Sequence, residues 1–360
     1  MVAVSQMPEF CQSLPCLECD NLSHPRFMTD SLYWDLIITG GSRMKAGAKI
    51  LTWIKYSLSI FMLCMPTWSH AHGFAGKRFF PTTPAVEDPF VSDEFSLSFQ
   101  HVKAPDEEGG GDARTTAYAM EYAKRITPKW AISIDGAYLR QDLIPGEANW
   151  GFSNVGTGLK YQFFTSEAHE ALMSLGVDVE WANSGTSRIG AESFSVISPA
   201  FFFGKGFGDI SNPESALRAL ATTGVISVNI PSQVKIVDGP DTTLNPVTLG
   251  YDFTFQYNLD YKQSYVRDSG LGEPFRHLIP VVELSLETCM NRGCDGETQA
   301  WAFPGVLWNN HAIELGLSAQ VPLNDTTGND VGVIGLIHVF VDDLFPNTLG
   351  RPLFGQARGG

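Results

Sequence analysis

The chain has 360 residues, a formal net charge of -15, 18% charged residues and 35 glycines. A surface this acidic repels phosphate, which argues against a nucleic-acid partner, and the ordinary apolar content argues against a disordered chain. The sequence holds no run of 18 or more apolar residues, so helical membrane spans are not expected.

The first 71 residues read as processing signals. Met44-Lys45 opens a basic stretch with Lys49 and Lys55, the apolar run Tyr56 to Met65 follows, and Ser69-His70-Ala71 supplies small residues for signal-peptidase cleavage. Residues 44–71 are therefore read as a cleaved signal peptide, with the mature chain beginning at His72. Residues 1–43 are read as a mis-started upstream extension, because a ribosome-binding sequence translates as Gly-Gly and Gly40-Gly41 lies just before Met44. Cys11, Cys16 and Cys19 leave a cytosolic zinc extension as the alternative, without a second ligand pair of suitable spacing. Residues 1–71 hold five acidic and five basic side chains, so the mature chain keeps the whole -15.

The stretch from His72 to about residue 92 lacks a clear period and reads as a periplasmic N-terminal arm or plug. Residues 93–345 read as strands. The clearest segment is Tyr251 to Lys262, where apolar or aromatic side chains alternate without a break against polar ones. A run this long approaches the ~9–11 residues that a tilted strand needs to cross a bilayer. The same dyad recurs around Trp130–Tyr138, Met173–Trp181 and Ile313–Val321. In chain order the candidates are Glu94–Ala104, Asp112–Ile126, Lys129–Leu143, Trp150–Thr165, Glu170–Trp181, Phe194–Phe207, Ala219–Pro231, Asn245–Tyr265, Phe275–Thr288, Glu297–Trp308, His311–Pro322 and Val331–Val341.

Those segments predict an all-β fold, an antiparallel transmembrane β-barrel of about twelve strands. Long Gly/Asp/Asn-rich loops alternate with short joints such as Thr127-Pro128 and Asn309-Asn310, as expected of a barrel with unequal ends, and two joints, Gly208–Leu217 and Gln263–Pro274, break the pattern. Trp130, Trp150, Trp181, Trp301 and Trp308 fall near strand ends, where an aromatic girdle belongs. Gly204 to Gly208 reads as barrel bends. A soluble sandwich is the competing fold, since period-two segments also build one. Residues 346–360 form a tail beyond the last strand.

Cys289 and Cys294 are the two cysteines left in the mature chain and share one loop, which in an exported protein reads as a disulfide.

Two stretches carry a family resemblance: His72 to Pro81 with Glu87-Asp88-Pro89-Phe90-Val91, and Val339 to Pro346 with Gly350-Arg351-Pro352-Leu353-Phe354. They resemble the two ends of a proteobacterial exported family. That family is similar in architecture to the outer-membrane "MetA-pathway of phenol degradation" transporter-like proteins. The resemblance implies a Gram-negative outer-membrane location and passive passage of small, aromatic or hydrophobic solutes, and it transfers no catalytic residue. One departure is the tail: outer-membrane barrels usually end on a strand with a terminal aromatic, a role that Gly335–Phe340 would have to fill internally.

If the apolar faces meet lipid, the opposite faces line a lumen with Asp135, Asp178, Glu180, Asp252, Asp260, Glu283, Glu287 and Glu314. Carboxylates around a narrow pore favour cations and disfavour anions. The expected partners are outer-membrane lipid, small-molecule solutes and the barrel-assembly machinery. A closed structural barrel is the first alternative. A lipid-modifying enzyme is the second, although no His-x-Ser arrangement or other catalytic motif accompanies the mature histidines. No cofactor motif is present. A copper chelate at an amino-terminal His72 would need a further histidine.

Overall fold

The computed structural model describes residues 73–106, 111–144, 146–238, 241–292, 294, 296–310 and 312–354. The proposed leader, the upstream cysteines and His72 lie outside these residues.

A small hairpin, β1 (Phe74–Ala75) and β2 (Arg78–Phe79), precedes the main sheet. The sheet then runs through β3 (Glu94–Asp106), β4 (Gly111–Thr127), β5 (Trp130–Ile144), β6 (Ala148–Phe152), β7 (Gly156–Ser166), β8 (Ala171–Glu180), β9 (Val196–Gly206) and β10 (Leu220–Pro231). A loop hairpin, β11 (Lys235–Asp238) and β12 (Asp241–Leu244), stands apart from it. The sheet resumes with β13 (Thr248–Tyr257), β14 (Leu278–Cys289), β15 (Thr298–Asn310), β16 (Ile313–Pro322) and β17 (Gly332–Phe340). Each pairs antiparallel with its neighbour, and β17 pairs β3, which closes the ring. β6 and β7 both pair β5, at opposite ends, and act as one strand interrupted at residues 153–155. The wall is thus a closed antiparallel barrel of twelve strands, as the dyads predict, and a two-sheet sandwich is excluded.

Its polarity is inverted relative to a soluble protein. Ile134, Leu175, Phe255, Leu317 and Ile337 are each more than half exposed on the outside, while Ser174, Thr254 and Glu314 are fully buried inside. Only a hydrocarbon surround makes that arrangement favourable. The band has the right height. Trp130 stacks on Tyr161 at one end of β5, and Arg140, ten residues along, pairs with Trp150 at the other. At ~3.3 Å per residue and a tilt of ~40° this spans about 25 Å.

Three expectations need correction. The alternation from Tyr251 does not continue as a strand to Tyr265: β13 ends at Tyr257, and the Asn258 side chain accepts from Tyr261 N to cap a helix, Leu259–Tyr265. Asp260 therefore leaves the wall and pairs with Arg276 in the same connection. Trp301 is not in a girdle. Its side chain is buried inside the barrel beside Val102, Phe303 and Ile334. Phe340, the candidate terminal aromatic, also points inward, against Phe79 and His338.

The described part of the tail, through Phe354, packs on the end of the barrel. Lys124 donates to Leu349 O and Arg351 O, Arg125 donates to Gly350 O, and Leu353 N and Phe354 N bond to the carbonyls of Arg125 and Ile126. It thereby folds under the β4–β5 turn.

Candidate functional site

The lumen holds the segment between the small hairpin and β3. Residues 80–86 and 88–93 are all buried, so this stretch is a plug. It enters at the short-turn end of the barrel. There the Arg78 guanidinium is fully buried, donates to Glu170 Oε2 at 3.1 Å and to Ala219 O at 3.1 Å, and lies 3.7 Å from the Tyr261 ring centroid. Glu170 also accepts from Gly208 N and, at 2.6 Å, from the Tyr261 hydroxyl. Burial, then the bond to Glu170, pushes the Tyr261 phenol up to about 12. Through these bonds the buried cation fixes the hairpin against three separate connections of the rim.

From there the plug bonds to strands around the circumference. Glu283 Oε1 on β14 accepts from Ala85 N at 3.0 Å and Val86 N at 2.9 Å. Lys160 on β7 donates to Asp88 O at 2.9 Å and pairs with Glu87 at 2.7 Å. Ser174 on β8 donates to Pro89 O, and Gln162 on β7 accepts from Val91 N. Thr82 donates to Asp88 and lies 3.4 Å from His338 Nε2 on β17. Asp93 closes the segment, held by Arg125 Nε at 2.8 Å and Lys124 at 2.7 Å.

Apolar side chains fill the gaps between these bonds. Phe80 and Phe90 pack with Leu172 and Phe340, Ala85 with Trp301 and Phe303, and Val86 with Phe202 and Val225. The glycines at 204, 206 and 208 make this possible. A side chain at Gly204 would meet Pro89 and Phe80, and one at Gly206 would meet Arg78 and Glu170. Gly204 is a close-approach point for the plug and Gly206 for its hairpin, whereas Gly208 leaves room for Tyr261 and Glu170.

The carboxylates named from the sequence divide into three groups. Glu283 and Glu314 are fully buried at plug level; Glu283 holds the plug, and Glu314 accepts from Asn309. Asp252 and Glu287 lie further along the same wall, with Glu287 accepting from Asn229 and Thr248. Asp135 and Glu180 fall in one cross-strand row with Gly156 between them, and Asp178 lies in the next row opposite Gly158. The row of Asp135 and Glu180 also contains Glu121 of β4, the cross-strand partner of Asp135, which the sequence reading passed over. Its signal was present: Ala119, Glu121 and Ala123 alternate with Tyr118, Met120 and Tyr122. Glu121, Asp135, Asp178 and Glu180 thus make an acidic wall on the long-loop side of the plug. Lys160, a second omission, is the cation beneath it.

Ser96 and His338 lie 2.8 Å apart, with Glu94 3.7 Å from the other ring nitrogen. This resembles part of a hydrolytic triad. It faces the plug and is buried, whereas a lipid hydrolase needs its serine where lipid can reach it. Among the described residues no cluster of His, Cys, Asp or Glu suits a metal ion. Cys289 and Cys294 have Cα atoms 5.9 Å apart, a separation that a disulfide spans.

No family model matches the chain, and no curated protein does. Among solved structures, the fold is similar to the COG4313 outer membrane channel from Pseudomonas putida F1, with 10% identity, a TM-score of 0.54, and coverage of 73% of this chain and 99% of that one. NanC porin (8% identity, TM-score 0.41, 68% and 98% covered) and LpxR from Salmonella typhimurium (14%, 0.36, 69% and 100%) are more distant. At such identities the likeness concerns the fold alone: the chain folds as outer-membrane β-barrels do.

Proposed function

We propose that this protein is a Gram-negative outer-membrane channel for passive passage of small solutes, closed in this conformation by its own N-terminal segment. The observation that carries the reading is the plug itself. It is a separate segment joined to the wall by side-chain bonds, and no strand of the barrel would have to unpair for it to move. On this reading the end with the turns 128–129, 167–170 and 311–312 is periplasmic and the other extracellular; the connections 207–219 and 258–277, at that same periplasmic end, are exceptions to the usual loop asymmetry.

Two features bear on the solute. The wall beneath the plug is apolar at Trp301, Phe303 and Ile334 and again at Phe202 and Val225. Displacing the plug would present those side chains to the passage, which suits the aromatic or hydrophobic solutes that the sequence resemblance implies. The acidic wall beyond it would favour cations over anions. Outer-membrane lipid and the barrel-assembly machinery complete the proposed partners, and an enzymatic role is not proposed.

The test is single-channel recording of the chain from His72 onward in a planar bilayer under a salt gradient. The reading expects openings with a cation-selective reversal potential. It also expects that potential to move towards zero in the variant Glu121→Gln/Asp135→Asn/Asp178→Asn/Glu180→Gln. A folded barrel that never conducts, even with the plug segment deleted, would refute the channel. Unchanged selectivity in the variant would refute the acidic filter alone.

A further inference from the structure

Among the described residues, several basic side chains gather on the outside of the barrel. On β3, β4 and β5 the outward positions at the long-loop end carry Lys103, Arg114 and Arg140, and the adjoining loop contributes Arg188. Lys103 and Arg114 are directly opposite each other across the ladder. Like charges so placed destabilise a sheet unless an anion lies between them. Among the described residues two outward carboxylates counter this charge: Asp142, the direct cross-strand partner of Arg114, bonds to Arg140 at 2.9–3.0 Å, and Asp330 is 3.4 Å from Lys103. Among the described residues neither Arg114 nor Arg188 belongs to an ion pair, and both are exposed.

The cluster lies at a defined height. Arg188 donates to Trp150 O and sits 5.1 Å from the Trp150 ring centroid, and Arg140 is the strand partner of Trp150. Trp150 marks the far edge of the apolar band, about 25 Å from Trp130. Directly below, on the same face, two aromatic pairs are exposed, Phe99 with Tyr118 and Tyr138 with Phe152. Cations over exposed rings at a membrane boundary match an amphiphile that has anionic groups at its head and acyl chains beneath.

We propose that this face binds a phosphorylated glycolipid of the outer leaflet, of the bis-phosphorylated lipid A class. Arg114 and Arg188 hold its phosphates, Arg140 and Lys103 complete the positive field, and the aromatic pairs receive its acyl chains. Guanidinium groups suit this role because their fork geometry matches phosphate oxygens. The assignment depends on which end faces outward and is independent of whether the barrel conducts.

Native mass spectrometry of the detergent-folded chain tests it, with bis-phosphorylated lipid A, the same lipid with both phosphates removed, and phosphatidylglycerol as probes. The expected result is one lipid A per barrel, with binding at least tenfold weaker for the dephosphorylated form and for phosphatidylglycerol. The variant Arg114→Gln/Arg140→Gln/Arg188→Gln should lose that preference while keeping its heat-modifiable mobility. Lys129→Gln, an exposed cation at the other end, should bind as the wild type does. Equal binding of the three lipids by the wild type, or undiminished lipid A binding by the triple variant, would overturn the proposal.

Discussion

Replacing Glu283 by alanine removes the acceptor shared by the amides of Ala85 and Val86. Both amides sit in the lumen, on residues that are at most 6% exposed, so water does not replace the lost partner without movement of the plug. Leaving one buried donor unpaired costs about 1–3 kcal/mol, so the pair costs about 2–6 kcal/mol. At the low end, about 2 kcal/mol, the detached state becomes roughly thirtyfold more populated. Hydrogen–deuterium exchange of the detergent-folded barrel reads this directly. Peptides covering residues 82–91 should exchange about thirtyfold faster or more in Glu283→Ala, while peptides from β14 and β15 keep wild-type protection. Wild-type exchange in the plug of a folded variant would refute the reasoning, because it would mean that these two bonds do not hold the segment. Equal loss of protection across β14 and β15 would also refute it, by tracing the effect to the wall.

Further outcomes follow from the same geometry. Gly204→Val adds atoms where a Cβ already lies 3.1 Å from Pro89 and 3.3 Å from Phe80; overpacking of this kind costs about 1–3 kcal/mol and should speed plug exchange. Gly136→Ala, whose Cβ meets nothing within 4 Å, should not. Burial, and then the nearby Glu180, push the Glu192 carboxyl up to about 7. Its raised folded-state value means that its contribution to the loop between β8 and β9 is complete below the ordinary carboxylate range and is lost as pH rises through about 7. Proteolysis of that loop should therefore quicken between pH 5 and 8, and Glu192→Gln should flatten the profile. We propose that Cys289 and Cys294 form a disulfide in the exported protein; intact-mass alkylation should label neither cysteine until reductant is added. Closing so short a loop contributes about 2 kcal/mol, so Cys289→Ser/Cys294→Ser should unfold at lower denaturant.

The barrel was legible because lipid and lumen impose opposite demands on alternate side chains over ten or more residues. Ile132, Ile134 and Tyr138 against Ser133 and Asp135 state that demand without help from any distant residue. The alternation misled at Tyr257, Leu259 and Tyr261, where the same spacing continues into a helix. What ends the strand is a single cap at Asn258, and what buries Tyr261 is Arg78, 183 positions earlier in the sequence. Trp301 was misplaced for a related reason. A tryptophan near a strand end suits a girdle, but its parity with Phe303 and Leu307 puts it inside, where Ala85 covers it. The sequence alone left residues 72–92 open between an arm and a plug, because a segment held by Glu283, Lys160, Ser174 and Arg125 takes its conformation from the wall and carries no period of its own. Individual carboxylates were visible as inward positions, yet the cross-strand register that unites Glu121, Asp135 and Glu180 exists only once the sheet has closed.

The central claim is that the plug closes a channel and must move for solute to pass. The hydroxyls of Thr83 on the plug and Thr254 on β13 lie 3.5 Å apart, so Thr83→Cys/Thr254→Cys places two thiols where a cross-link would fasten the plug to the wall. Single-channel recording of this variant in a planar bilayer, before and after addition of reductant, is the most direct measurement. The account predicts silence while the cross-link is intact and openings once it is reduced, with wild-type current indifferent to reductant. Openings of equal size and frequency in both states of the variant would contradict it.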